Sequence, residues 1–234
     1  MAASQARNAG LPIINFLRLK GVSILQQLHL EERLLRTSSE NWCIIKDGTT
    51  RPTIVMGVSG KPKELLETDA VLRDEIPVIR RFTGGGTVIV DQGTIFVSFI
   101  CNKDAIPGLQ SYPRPIMSWS SLIYKNMFQG IGEFGLREND YVLGNRKFGG
   151  NAQSITKNRN HVEFICRLKE FMSRSDFING TTDAVAAYFA LRSPDADDIQ
   201  NHSSQFEPSS KLLTRQELGD EASIDLVGTV SQAL

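Results

Sequence analysis

The spacing of apolar and polar positions divides the chain into short segments. Ile13–Leu19 predicts a first strand. Ser23 stands where an N-cap belongs, ahead of a helix reaching about Arg36. Leu25, Leu28 and Leu35 form its apolar stripe, with Glu31, Glu32 and Arg33 placed mostly off it. Trp42–Ile45 and Thr53–Val58 predict strands, and Asp47-Gly48 a turn between them. Lys61–Arg73 predicts a short helix. Pro77–Ile79 and Thr87–Val90 predict two strands of a hairpin around three consecutive glycines. Thr94–Cys101 is apolar enough for a central strand. Pro107, Pro113 and Pro115 mark a loop before a helix from Ile116 to about Phe134, with Trp119, Leu122, Ile123 and Met127 on one side. Tyr141–Leu143 and Phe148–Ile155 predict strands around a Gly144-Asn145 turn. From Glu163 the pattern turns helical, with one helix through Phe164, Ile165, Leu168 and Phe171 and a second over Thr182–Leu191.

Strands with interspersed helices, and more hairpins than long crossovers, predict an α+β fold: a mixed, largely antiparallel sheet packed with helices. The expected division is a domain over residues 1–192 and a polar, linker-like or disordered tail over 193–234, with one or two weak helices after Lys211.

Composition narrows the function. The chain has 234 residues, 26 basic and 26 acidic, and 41% hydrophobic content. Balanced charge argues against broad nucleic-acid binding, which needs clustered cations. No apolar run is long enough to cross a membrane. Cys43, Cys101 and Cys166 are widely spaced without a C-x-x-C, so they read as free buried thiols and not as a zinc site or disulfides. His29, His161 and His202 lack metal-ligand spacing and receive no role, and no metal-binding residues are assigned. The N-terminal stretch lacks acidic residues, but few residues precede the first strand, so a cytoplasmic location is expected, with a mitochondrial or plastid one as the alternative.

Two stretches carry candidate chemistry. In Arg80-Arg81-Phe82-Thr83-Gly84-Gly85-Gly86 the glycines leave backbone open to a ligand, and successive N–H groups can form an anion-binding concavity. The arginines add guanidinium forks suited to phosphate or carboxylate. A plain glycine-rich hairpin with solvated arginines would show the same pattern. In Asn139-Asp140 and Arg146-Lys147-Phe148-Gly149-Gly150-Asn151-Ala152, Lys147 stands between a tight turn and a glycine pair, placed to hold a negative charge. Asp140 suits a metal, a ribose hydroxyl or the lysine itself. An exposed hairpin with routine charges is the plainer alternative.

Together, in this order and about sixty residues apart (80 to 139), the two blocks resemble the catalytic domain of the lipoate-protein ligases of the biotin/lipoate ligase superfamily. The helix segment Leu30–Arg36 and the strand Asn41–Gly48 extend the likeness, which spans roughly residues 13 to 158. The resemblance implies an ATP-dependent ligase that activates lipoate or octanoate as an acyl-adenylate and transfers it to a lysine of an acceptor domain. It implies ATP and Mg²⁺ as cofactors. The implied acceptors are lipoyl-domain proteins such as 2-oxoacid dehydrogenase E2 subunits and the glycine cleavage H protein, served by a monomer. By the motif match, Lys147 is the catalytic residue, contacting the acyl carbonyl and phosphate. Arg81 and the Gly84, Gly85 and Gly86 backbone line the acyl-adenylate site, Thr83 supplies a hydroxyl, and Asp140 lies near the adenylate or Mg²⁺. Related transferases place a Cys nucleophile shortly before the lysine block. Arg137-Glu138-Asn139-Asp140 stands there instead, which favours the ligase.

Two further departures matter. Val90 and Asp91 follow the glycines where the family often has a His. The family also continues from its lysine strand into a His-His-containing strand and further sheet. Here Asn160 runs into His161-Val162-Glu163-Phe164, read as helical, so a segment is expected to be missing after Asn160. That would expose a sheet edge and one wall of the pocket. A shortened or non-catalytic relative, binding lipoyl-adenylate or lipoyl domains without turnover, is the alternative reading.

Overall fold

The apolar run Thr94–Asn102 (β6) is buried along nearly its whole length and forms the middle of the largest sheet. The fold is that of a computed structural model describing residues 10–168, 170–195 and 206–219. Beside β6 lie Trp42–Asp47 (β2) and Ile13–Leu19 (β1) on one side. On the other lie Arg159–Arg167 (β10), Arg146–Ile155 (β9), Asp140–Leu143 (β8) and Phe134–Arg137 (β7). Ala190–Arg192 (β11) completes eight strands in the order β11-β1-β2-β6-β10-β9-β8-β7. Only β1 pairs parallel, with β2 and β11; the remaining pairs are antiparallel. A second sheet holds Thr53–Met56 (β3), Val78–Arg80 (β4), Val88–Val90 (β5) and Lys211–Leu212 (β12), ordered β12-β4-β3-β5. This is the expected α+β fold with mixed, largely antiparallel sheets.

Each face of the large sheet is covered differently. The helix Ile24–Thr37 (α1) starts at Ser23, whose hydroxyl accepts from the Gln26 amide in a capping box. Its Ile24, Leu28, Leu34 and Leu35 pack with Trp42, Ile44, Phe96 and Ile100 of the large sheet and with Val55, Ile79 and Val90 of the small one. On the opposite face, Pro113–Lys125 (α4) and Arg174–Ala186 (α5) close over an aromatic core in which Tyr124 stacks on Phe164 at 4.4 Å between ring centroids. Two short helices, Pro62–Leu65 (α2) and Thr68–Arg73 (α3), replace the single one expected over Lys61–Arg73. Among the described residues no helix is long and apolar enough to cross a membrane.

Several expectations are corrected. The stretch from Glu163 is not helical. Arg159–Arg167 is a nine-residue strand hydrogen-bonded to β6 and β9 along its length, so no sheet edge is left open after Asn160. Its side chains alternate: Val162, Phe164 and Cys166 enter the aromatic core, while His161 and Glu163 are buried on the other face. The glycine stretch is not a hairpin. β4 runs parallel to β3 and β5 antiparallel to it, so β3 lies between them and the glycines cross its end. Pro113 and Pro115 open α4 instead of preceding it, since proline's missing N–H costs nothing in a first turn. That helix ends at Lys125, and a 3₁₀ turn over Asn126–Phe128 and two glycines lead into β7. Leu122 faces solvent. The second C-terminal helix spans Arg174–Ala186, not Thr182–Leu191.

Part of the stretch expected as a tail belongs to the fold. Residues 206–219 include β12, paired with β4, and a short capped helix Arg215–Leu218 (α6), with Leu213 and Leu218 buried. Glu32 holds this segment: it accepts from the Ser209 amide at 2.8 Å, the Ser209 hydroxyl at 2.7 Å and the Ser210 amide at 3.3 Å. His202, the remaining weak helix expected toward residue 234 and the acid-free residues 1–9 lie outside the described residues.

Replacing Glu32 by Ala is expected to release residues 206–219 while the large sheet persists. Hydrogen exchange at Leu212 and Leu213 should accelerate by about tenfold or more, against little change over β6. Equal acceleration in both places would mean that Glu32 holds the whole fold and not this segment.

Candidate functional site

The glycine stretch takes its shape from what it crosses. The Arg81 amide donates to Met56 O at 2.9 Å, and the Val58 amide to Thr83 O at 3.0 Å, which ties the loop to the end of β3. A Cβ on Gly57 would lie 2.2 Å from Gly85 O, so a glycine at 57 is what lets the loop pass. Gly85 has φ +97°, a region that disfavours other residues. A Cβ on Gly84 or Gly86 would meet open space.

Arg81 is buried, and its guanidinium is committed to the loop itself. Nε donates to Thr83 Oγ1 at 2.8 Å, and Nη2 donates to Gly84 O at 2.8 Å and Gly86 O at 2.9 Å. Thr83 therefore stands behind the loop as an acceptor for Arg81.

The lysine block sits on the β8–β9 hairpin. Gly144, at φ +57°, makes the turn. A β-bulge follows: Val142 opposes Lys147 while Tyr141 opposes Gly149, leaving Phe148 as the extra residue. Bulges re-aim side chains. Phe148 is buried, whereas Lys147 is 55% exposed and its Nζ lies 2.7 Å from Asp140 Oδ1. At Gly149 a Cβ would be 2.9 Å from the Phe164 ring, so glycine lets β9 lie close over β10.

Both blocks line one groove of about 980 Å³. Arg81, Gly84, Gly85, Gly86, Asp140 and Lys147 all border it; Thr83, alone of the expected residues, does not. Val88, Ile89 and Phe171 give it an apolar stretch. Ile165, Cys166 and Arg167 supply wall from β10, so the wall expected to be missing is filled by the residues that follow Asn160. Arg167 bridges to Asp91 at 2.6 Å and Arg146 pairs with Glu170 at the rim.

A buried polar cluster lies against the loop's root. Glu31 and Glu32 do not flank the stripe of α1; they occupy it, at i+3 and i+4 from Leu28, and both are fully buried. Glu31 Oε1 accepts from Gln27 Nε2 at 2.7 Å and from Ser98 Oγ at 2.7 Å, and Glu31 Oε2 lies 3.2 Å from His161 Nε2. Glu163 Oε1 is 3.3 Å from Gln27 Nε2. Burial first, then the charge of Glu31, pushes the Glu163 carboxyl well above the usual carboxylate range, against the opposing pull of Arg81. Sequence reasoning missed Glu31, His161 and Glu163. The signal was there in the first case: an acidic pair at stripe positions between Leu28 and Leu35.

The three cysteines are free and buried. Burial raises each thiol, Cys101 to about 12, which disfavours the thiolate. Cys166 borders the groove. Among the described residues no group of three or more His, Cys, Asp or Glu side chains could hold a metal ion.

The family model "Lipoyl protein ligase A/B catalytic domain" matches residues 23–179. The chain is 25% identical over 225 residues to "Inactive lipoate--protein ligase 2" of Plasmodium falciparum (isolate 3D7), covering 70% of this chain and 58% of that protein. It is 30% identical over 116 residues to "Lipoate-protein ligase LplJ" of Bacillus subtilis (strain 168), covering 47% of this chain and 32% of that protein. The chain thus spans between about a third and three fifths of these relatives' length. Among solved structures it is similar to lipoate-protein ligase A bound with ATP, with TM-score 0.67, 14% identity and coverage of 82% and 92% of the two chains. It is similar also to Ta0514 of T. acidophilum with bound lipoic acid, with TM-score 0.64, 15% identity and the same coverages. At such identities these structures establish the fold.

Two predictions test the site. Gly85→Val is expected to destabilise the protein by about 2 kcal/mol, because a β-branched residue is strained at positive φ and its Cβ would crowd Arg81. Gly86→Val is expected to leave stability within about 1 kcal/mol while filling groove space. Urea unfolding of the two variants should separate them, and equal losses would contradict the loop geometry. The second concerns pH. Glu163 keeps its proton in the fold above the pH at which it ionises in the unfolded chain, about 4.3. Stability is therefore full below that value and declines as pH rises through the higher folded value. Glu163→Gln should remove this decline in unfolding midpoints measured across pH; an unchanged profile would mean that Glu163 is not its source.

Proposed function

The chain belongs to the lipoyl protein ligase A/B catalytic-domain family, and we propose that it is an ATP-dependent lipoate-protein ligase. It activates lipoate or octanoate as an acyl-adenylate and passes the acyl group to a lysine of an acceptor lipoyl domain. The observation that carries this reading is the meeting of the two sequence blocks across one groove, Lys147 and Asp140 on one wall and the open backbone of Gly84 and Gly86 on the other.

In the first step a substrate carboxylate oxygen attacks the α-phosphorus of ATP and pyrophosphate leaves. In the second the acceptor lysine's amine attacks the acyl carbonyl and AMP leaves. Both steps gather negative charge at the phosphate and the carbonyl oxygen, and fixed donors aimed there accelerate them. Lys147 is the mobile cation for that charge. The glycine backbone binds phosphate, and Arg81 shapes that backbone from behind, with Thr83 orienting the guanidinium. The apolar stretch at Val88, Ile89 and Phe171 accommodates the acyl chain. No covalent enzyme intermediate is required. Asp140 is an oxygen ligand of the kind Mg²⁺ accepts alongside nucleotide phosphates. It would hold the ion, which neutralises phosphate charge.

The ATP-bound and lipoate-bound members of this fold support the choice of substrates. The expected acceptors are E2 subunits of 2-oxoacid dehydrogenases and the glycine cleavage H protein. The protein acts as a monomer, in the cytoplasm or alternatively in mitochondria. One observation favours a second reading: a relative named as inactive aligns over 225 residues. On that reading the chain binds lipoyl-adenylate or lipoyl domains without turnover.

Incubation with ATP, Mg²⁺, lipoate and an apo lipoyl domain is expected to add one lipoyl mass to the acceptor, read by intact mass. Lys147→Ala should lose the gain by at least about a hundredfold while unfolding as the wild type does, since Lys147 lies outside the core. A lipoyl-adenylate analogue at a hundredfold excess over its Kd should stabilise the chain by about 2.7 kcal/mol. Stabilisation without mass gain would select the binding reading, and neither effect would remove both.

A further inference from the structure

The buried cluster on α1, β6 and β10 has no part in the chemistry above, yet it underlies the loop that does. Arg81 presents a buried guanidinium whose hydrogen-bond acceptors are the Thr83 hydroxyl and the carbonyls of Val55, Gly84 and Gly86. None of these carries charge. A buried cation needs a balancing anion nearby. Glu163 is the carboxyl that acts on Arg81, and Glu31 lies across Gln27 from it. Next along the chain, the Phe82 ring sits 5.2 Å from the His161 ring. The cluster therefore meets the loop's root at two successive residues.

We propose that Glu31, Glu163 and His161 are positioning residues for the glycine loop: the Glu31–Glu163 pair, sharing one negative charge, balances Arg81, which latches Gly84 and Gly86, and His161 seats Phe82. Two converging donors, Gln27 Nε2 and Ser98 Oγ, suit Glu31 to the role of accepting carboxylate, with His161 Nε2 3.2 Å from its other oxygen. Glu163 then holds the proton, which leaves one negative charge against that of Arg81. Ionisation of Glu163 adds a second anion, draws the guanidinium from the glycine carbonyls and loosens the loop. The groups facing Glu163 are Glu31 and Gln27 from α1, Ser98 opposite it on β6, His161 on its own strand and Arg81. That the loop serves a ligand rests on the function proposed above; its attachment to the cluster does not.

The test is hydrogen exchange of the full chain without ligand, comparing peptides over residues 82–88 and 94–101. Glu31→Gln is expected to accelerate loop exchange by about tenfold or more, with less than about a twofold change in β6. Should that variant fail to fold, Ser98→Ala, which removes one donor to Glu31, is expected to accelerate the loop by about threefold. In the wild type, loop protection corrected for intrinsic exchange should fall as pH rises, and Glu163→Gln should abolish this step while keeping the loop protected at pH 6. Loop and strand accelerating together would reduce the cluster to a structural role. An unmoved loop in Glu31→Gln or Ser98→Ala, or a pH step that survives Glu163→Gln, would overturn the proposal. None of these readouts needs turnover, so an inactive protein tests it equally well.

Discussion

Two adjacent carboxylates buried on one helix set the terms for much of this fold. An ionised group removed from water costs several kcal/mol unless partners replace the solvent. Glu31 and Glu32 meet that demand in opposite directions. Glu31 gathers Gln27, Ser98 and His161, and so joins α1 to the centre of the large sheet. Glu32 gathers the Ser209 and Ser210 amides, and so draws the 206–219 segment over the small sheet. Ser210 in turn accepts from the Phe82 amide at 3.0 Å and from His29 through its carbonyl at 2.8 Å. The root of the glycine loop thus depends on both acids.

The groove follows from topology. Because β3 separates β4 from β5, the chain must cross the end of β3 to pass between them. Gly57 below and Gly85 above leave room for that crossing, and Arg81 fastens it. The opposite wall is set by the bulge at Phe148. Without it, strict alternation along β9 would change which of Lys147 and Phe148 faces the core. One extra residue therefore buries the ring and leaves the lysine beside Asp140.

What could be read from sequence was local. Ser23 announces α1, Gly144-Asn145 announces the β8–β9 turn, and the apolar run of β6 announces a central strand. The two motif blocks identified the family and six of the residues that border the groove. What was missed required tertiary knowledge. β10 alternates correctly for a strand, but both its faces are buried, and the apolar run Phe164, Ile165, Leu168 also fits a helical spacing. Glu31 and Glu32 misled because acidic residues were placed off the stripe of α1. The hairpin reading failed because nothing between residues 78 and 90 reveals that β3 inserts between the two strands.

Two of the groove's cations, Arg81 and Lys147, are held by opposite means, and the proposed chemistry needs both. Arg81 is buried and bonded to neutral acceptors at fixed positions, so it shapes the loop without itself being offered to ligand. Lys147 is more than half exposed, and its pair with Asp140 is of the kind that contributes about 1 kcal/mol or less. Exchanging that carboxylate for a phosphate or a developing oxyanion therefore costs little. A rigid surface of backbone donors that must not reorganise, facing one cation that can be redirected cheaply, suits two successive reactions at a single carbonyl. The charge appears first at phosphate and then at the acyl oxygen, and one flexible lysine can follow it where a locked guanidinium could not.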